Sequence, residues 1–358
     1  MASPVSRRAV LAALASLPLV LSSTGNGLLA REAGAPIKRF ARSAQRHFGT
    51  CARIDQLDAE PALLEAVLAQ CSSITPEIHL KWNSVENKKG QFWFEPVDKL
   101  IALARQSGLT VHGHTLLWEQ STPDWALRQM RRERDWGLVE EHITRVMGRY
   151  AGSIKRWDVV NEPIDTQNGS RSLRQNTFHK VFGPTYIADA LNTAHAAAPH
   201  AQLMLNDYSF EYDNSVERDR RAAFLKLLER LKGDGVPLHG VGIQAHLDLG
   251  KGPLSERGNR QFLQAIADMG LFILITELDV RERDYSASIA TRDQRVSDEV
   301  RRYLDIVLAQ DAVQGVTTWG MTDRFSWLSA KNRGLPYDVQ MQPKPMLTAL
   351  AEAFSRAA

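Results

Sequence analysis

The chain has 358 residues, 44% of them hydrophobic and 24% charged, with a formal net charge of +3. That composition supports one large globular domain or two small ones. It argues against nucleic acid as a partner, because phosphate binding needs a concentrated basic surface. With two cysteines and no Cys or His cluster at ligand spacing, it also argues against a metal.

Residues 1–30 read as an export signal. A short basic region ends in Ser6-Arg7-Arg8, and the apolar run 9–21 that follows is too short to span a bilayer. The arginine pair resembles a twin-arginine signal, with Val10 where an aromatic is usual. Small residues at 22–27 and at 30–35 both allow cleavage, and losing Arg7 and Arg8 brings the net charge to +1. The expected location is therefore outside the cytoplasm, periplasmic or secreted, with no membrane attachment once the signal is removed. Residues 31–46 are polar and unpatterned and read as a lead-in.

From residue 47 onward, apolar strand patterns recur at 47–52, 73–78, 110–116, 156–162, 202–207, 240–246, 271–277 and 315–320. Helical patterns lie between and after them, at 62–70, 97–106, 138–150, 186–197, 220–232, 260–269, 297–310 and 347–354. Eight alternations of strand and helix predict an α/β fold, a single (β/α)8 TIM barrel over 47–358. No Ser/Pro/Gly linker divides it. The charge cluster at 128–134 reads as a solvated helix face. Cys51 should end the first strand and Cys71 the next helix, at opposite faces of a βα unit, so two buried free thiols are expected rather than a disulfide.

In such barrels chemistry gathers at the C-terminal ends of the strands. The strand ends here supply Glu77 with Lys81; His112 and His114 leading to Trp118; Asn161 and Glu162; Asn206, Asp207 and Tyr208; Gln244 and His246; Glu277 and Asp279; and Trp319, with Trp327 in the next loop. Any one of these has a plain reading, a solvated loop acid or a satisfied structural histidine. Polar or aromatic residues at this many strand ends describe instead a cleft with acids and flat apolar faces, which suits a sugar polymer. Two apolar strands each deliver a glutamate, Glu162 in WDVVNEP (157–163) and Glu277 in LFILITELDV (271–280). Glycoside hydrolysis needs that pair: one acid to protonate the leaving oxygen and one carboxylate as nucleophile or base. His246 and Asp279 can hold Glu277 ionised, and Asn161 can bond a sugar hydroxyl beside the reacting carbon. No cofactor is called for.

The motifs KW (81–82), GHTLLW (113–118), WDVVNEP, LNDYSFE (205–211), GVGIQAHL (240–247), ITELDV (275–280), TTWGMTDRFSWL (317–328) and PKP (343–345) resemble, in order and spacing, the family-10 glycoside hydrolases, the endo-1,4-β-xylanases. The resemblance implies a retaining reaction with Glu162 as acid/base and Glu277 as nucleophile. It implies Asn161 on the 2-hydroxyl and a Glu277–His246–Asp279 chain. Sugar contacts would fall to Glu77, Lys81, His114, Trp118, Gln244, Trp319 and Trp327, with Tyr208 on the leaving-group side. Three residues depart from the family pattern: Ile78 for Asn, Glu119 for His and Ser121 for Gln. Gln120 is not expected to take the place of that last amide, because Pro123 and Trp125 keep their usual distance from Trp118. The expected partner is a xylan-like polysaccharide or oligosaccharide, and the expected state a monomer. The alternatives are a related barrel hydrolase acting on a substituted xylan or another β-glycan, or a carbohydrate-binding barrel without catalysis, which should lack one carboxylate or its support.

Overall fold

The structure is a computed structural model that describes residues 35–166 and 172–358; the expected export signal lies outside the described residues. Among the described residues, eight parallel strands form the wall of a barrel: β1 (His47–Ala52), β2 (Ser73–Pro76), β3 (Thr110–Leu117), β4 (Ile154–Asn161), β7 (Gln202–Asp207), β8 (Gly240–Ile243), β10 (Phe272–Arg281) and β11 (Val313–Thr318). They pair in that order, β11 returns to β1, and the β10–β11 pairing completes the ring. Three short strands lie off the wall: β5 (Ile164–Asp165) and β6 (Ser172–Leu173) as an antiparallel pair, and β9 (His246–Asp248).

Wall strands are apolar on both faces because side chains fill the barrel inside and helices cover it outside. Eight of the ten residues of β10 are buried. Two glycines in the quoted motifs are steric requirements. A Cβ on Gly113 would fall 2.3 Å from the buried Trp157 ring, and one on Gly242 would fall 2.2 Å from Asn206 Oδ1.

Several boundaries differ from expectation. The lead-in holds a helix, Ile37–Ser43, whose Ile37, Phe40 and Ala41 are buried at helical spacing and which packs against the last helix, Pro345–Arg356. The expected sixth strand breaks after Ile243, where Ala245 takes a left-handed backbone (φ 58°). The chain then re-forms β9, which pairs with the outer part of β10, so β10 continues past Glu277 to Arg281. The helices Ser215–Gly233 and Ile289–Val307 start five and eight residues earlier than expected, capped by the side chains of Asn214 and Ser288. The charge cluster at 128–134 falls on the helix Asp124–Glu133, and Cys51 and Cys71 are buried free thiols.

Candidate active site

Glu162 follows directly on β4. Its backbone is left-handed (φ 57°), uncommon and strained for a residue with a Cβ. Main-chain bonds hold it there: its N–H donates to Asn206 O (2.8 Å), and its carbonyl accepts from Arg174 Nε (2.8 Å). Pro163 next in line offers no N–H to prolong the strand. Glu277 sits three wall strands away on β10, at the point where pairing with β8 stops.

A run of amides links the two carboxylates. Asn206 Nδ2 donates to Glu277 Oε1 (2.7 Å) and to Asn161 Oδ1 (2.9 Å). Asn161 Nδ2 and Gln244 Nε2 both reach Glu162 Oε1, at 3.4 and 3.5 Å. Thr276 Oγ1 donates to Asn206 Oδ1 (2.7 Å), which fixes how that amide is turned. The space for it comes from Gly242.

The two acids have opposite electrostatics. Both are buried, which disfavours charge. Burial, helped by the charge of Asp207, wins at Glu162, whose pKa rises above its ordinary value against the pull of Arg174. At Glu277 burial is outweighed by the His246 hydrogen bond and by His114 and Lys81, and the pKa falls below its ordinary value. His246 stands between two carboxylates, Nε2 3.2 Å from Glu277 Oε2 and Nδ1 2.9 Å from Asp279 Oδ1. Burial opposes its charge, but Asp279 and Glu277 prevail and its pKa is pushed up to about 10. At neutral pH the ring is therefore an imidazolium donating from both nitrogens.

These groups open into a cleft of about 480 Å³. Of the thirteen residues expected from the sequence, twelve line it: Lys81, His114, Trp118, Asn161, Glu162, Tyr208, Gln244, His246, Glu277, Asp279, Trp319 and Trp327. Glu77 does not; it follows β2, half-buried, with its N–H bonded to Ala52 O. Lys81 Nζ lies 4.7 Å from the centre of the Trp118 ring and 5.6 Å from that of Trp319. His114 is held through Nδ1 by Asp158 (2.9 Å), which leaves Nε2 for the cleft. Trp327, half exposed, donates its indole N–H to Asp279 Oδ2 (2.6 Å).

The residues at and beside two of the departures are placed as follows. Gln120, which is not expected to take the place of the missing amide, lines the cleft, whereas Ser121 is buried and off its wall. Both residues lie on the short 3₁₀ turn Glu119–Ser121, where Gln120 is exposed and Ser121 buried. Glu119 accepts from both the N–H and the hydroxyl of Thr177 (2.7 and 2.5 Å), so it anchors the start of the helix Thr177–Phe182. The structure also adds residues that the sequence reading left without a role. Asn206 bridges the two acids. Arg174 braces Glu162 and donates to Tyr208 Oη (3.0 Å). Asp207 is paired with Arg220 beneath them. Lys344 of the PKP motif ties Asp323 (2.6 Å) and Arg333 O (2.7 Å), which secures the loop carrying Trp327.

A closed (β/α)8 barrel with two buried carboxylates of opposed pKa at one rim, walled by tryptophans, defines a glycosidase of the two-carboxylate class. Comparison with known proteins makes this specific. The profile of Glycosyl hydrolase family 10 matches residues 36–353, and the chain belongs to that family. It is 30% identical over 325 residues to endo-1,4-β-xylanase B of Thermotoga neapolitana, spanning 88% of this chain and 91% of the relative. Its fold superposes on native xylanase 10B of Thermotoga maritima with a TM-score of 0.81 at 30% identity, covering 90% of this chain and 98% of that one. The xylanase 10B of Thermotoga petrophila RKU-1, solved with xylobiose, gives 0.81 at 29% identity, with the same coverage of both chains.

Proposed function

We propose that this chain cleaves β-1,4-xylosidic bonds inside xylan with retention of configuration, Glu162 acting as acid/base and Glu277 as nucleophile. The observation that carries the assignment of roles is the opposed pKa shift of the two acids, Glu162 raised above its ordinary value and Glu277 lowered below it, which favours the acid form of the first and the ionised form of the second. In the first step Glu277 attacks the anomeric carbon while Glu162 gives its proton to the glycosidic oxygen. The leaving chain departs and a glycosyl ester remains on Glu277. Glu162, now a carboxylate, takes a proton from water as that water attacks the same carbon from the vacated face. The ester breaks, and two inversions leave the configuration unchanged. The His246 imidazolium keeps Glu277 ionised and turned, and Asn161 offers an amide N–H to the 2-hydroxyl. Acid and nucleophile both come from the chain itself, so the proposed steps call on no metal.

The family membership and the xylanase relatives support xylan as substrate. The basic-then-apolar run at 6–21 supports export. Purified protein on xylan, mixed-linkage glucan and mannan, with products sized and their anomers followed by NMR, tests the proposal. Short β-xylo-oligosaccharides released from xylan alone are expected. Initial α-anomers, or preferred cleavage of glucan or mannan, would overturn it.

A further inference from the structure

We propose that Arg281 forms, on the cleft rim beyond Asp279, a site for a carboxylate carried by the glycan, such as a uronic acid branch on a xylan backbone; this rests on the xylan reading above. Residues two apart on a strand share a face, so Glu277, Asp279 and Arg281 form one row along the cleft side of β10. The first two are committed to the reacting centre. Arg281 lines the same cleft, half-buried, with its guanidinium 5.4 Å from the centre of the Trp327 ring.

The acids nearest to Arg281 are already engaged. Asp248, its in-register neighbour on β9, is held by both arms of Arg283 and by the N–H of Gly250. Asp279 is held by His246 and Trp327. Lys251, another cation of the cleft lining, is bound to Glu217 (2.8 Å) and Ser209 (3.1 Å). Among the described residues none accepts a hydrogen bond from the Arg281 guanidinium, which lines the cleft, so its donors are left for a ligand. A guanidinium fork matches a carboxylate bidentately. The exposed face of Trp327 beside it can carry the sugar ring to which that carboxylate belongs. A purely bracing role explains less, because the indole is already fastened by its bond to Asp279 and its contact with His246.

The test compares wild type, Arg281→Met and Arg281→Lys on glucuronoxylan, on the same polymer with its carboxyl groups reduced to alcohols, and on linear xylohexaose. Wild type should have the higher kcat/KM on the acidic polymer. Arg281→Met should raise KM there about 10-fold or more, as expected for a lost charge-assisted hydrogen bond, with Arg281→Lys recovering part of it. On the two neutral substrates the rise should stay within about twofold, the size of a weak neutral contact. Equal losses on all three substrates would make Arg281 a brace for Trp327, and no loss on the acidic polymer would leave it without a ligand; either overturns the inference. Wild type that cleaves neutral xylan with no preference for the acidic polymer overturns this inference alone. Wild type that cleaves none of the three overturns the xylan reading with it.

Discussion

His246 is the residue through which the pH behaviour is set. In the proposed reaction Glu277 must be ionised for the first step and Glu162 protonated, so the rate should follow a bell in pH. The acid limb falls as pH drops through the lowered pKa of Glu277, and the alkaline limb falls as pH rises through the raised pKa of Glu162. Replacing His246 by Ala removes the largest influence holding Glu277 down, so its pKa rises and the acid limb should move to higher pH while the alkaline limb stays. A pH profile of kcat/KM that drops in height without moving would reduce His246 to a structural part. Gln120 carries a second prediction at this scale. It is the amide that reaches the cleft where Ser121 does not. Gln120→Ala should therefore raise KM for xylotriose by about 2- to 10-fold, the worth of one neutral hydrogen bond, and leave kcat nearly unchanged. An unchanged KM would show that no sugar hydroxyl meets it.

The strand elements place these residues to within the volume of an atom. On β8, Gly242 is open because Asn206 occupies the space a Cβ would take. Gly242→Ala should push the Asn206 amide away from Glu277, destabilising the fold by about 1–3 kcal/mol as overpacking does. Because Glu277, the proposed nucleophile, loses a 2.7 Å donor, kcat should fall with it. Chemical denaturation together with kcat measurement checks this, and full activity with normal stability would contradict the packing account. The same scale shows what the sequence could and could not disclose. The wall strands and both glutamates were legible because near-continuous apolar runs end in polar residues. The helix Ile37–Ser43 was not, since three apolar residues among basic ones become a core face only once the last helix is there to cover them. The break at Ala245 and the outer pairing of β9 depend on one backbone dihedral that no residue type announces. The role of Asn206 was hidden because its partner Glu277 lies 71 residues away and meets it only in the folded barrel, and that of Arg174 because the β5–β6 pair folds it back onto Glu162, 12 residues earlier.

At the scale of the whole molecule, the barrel brings two carboxylates from strands 115 residues apart in sequence to one rim, joins them through amides, and gives each a different environment. That division of labour is the central claim, and azide tests it directly, because a small anion can stand in for a missing nucleophile but not for a missing acid. Glu162→Ala should lose about 10²- to 10⁴-fold on natural xylan, the range for general acid catalysis, and much less on an aryl xylobioside whose leaving group needs no proton. Glu277→Ala should be inactive on both. The deciding measurement is the NMR configuration of the product when an activated aryl β-xylobioside is incubated with each variant and azide. The α-xylobiosyl azide should form with Glu277→Ala, and the β-azide with Glu162→Ala. An α-azide from Glu162→Ala, or turnover of xylan by Glu277→Ala near the wild-type rate, would contradict the assignment.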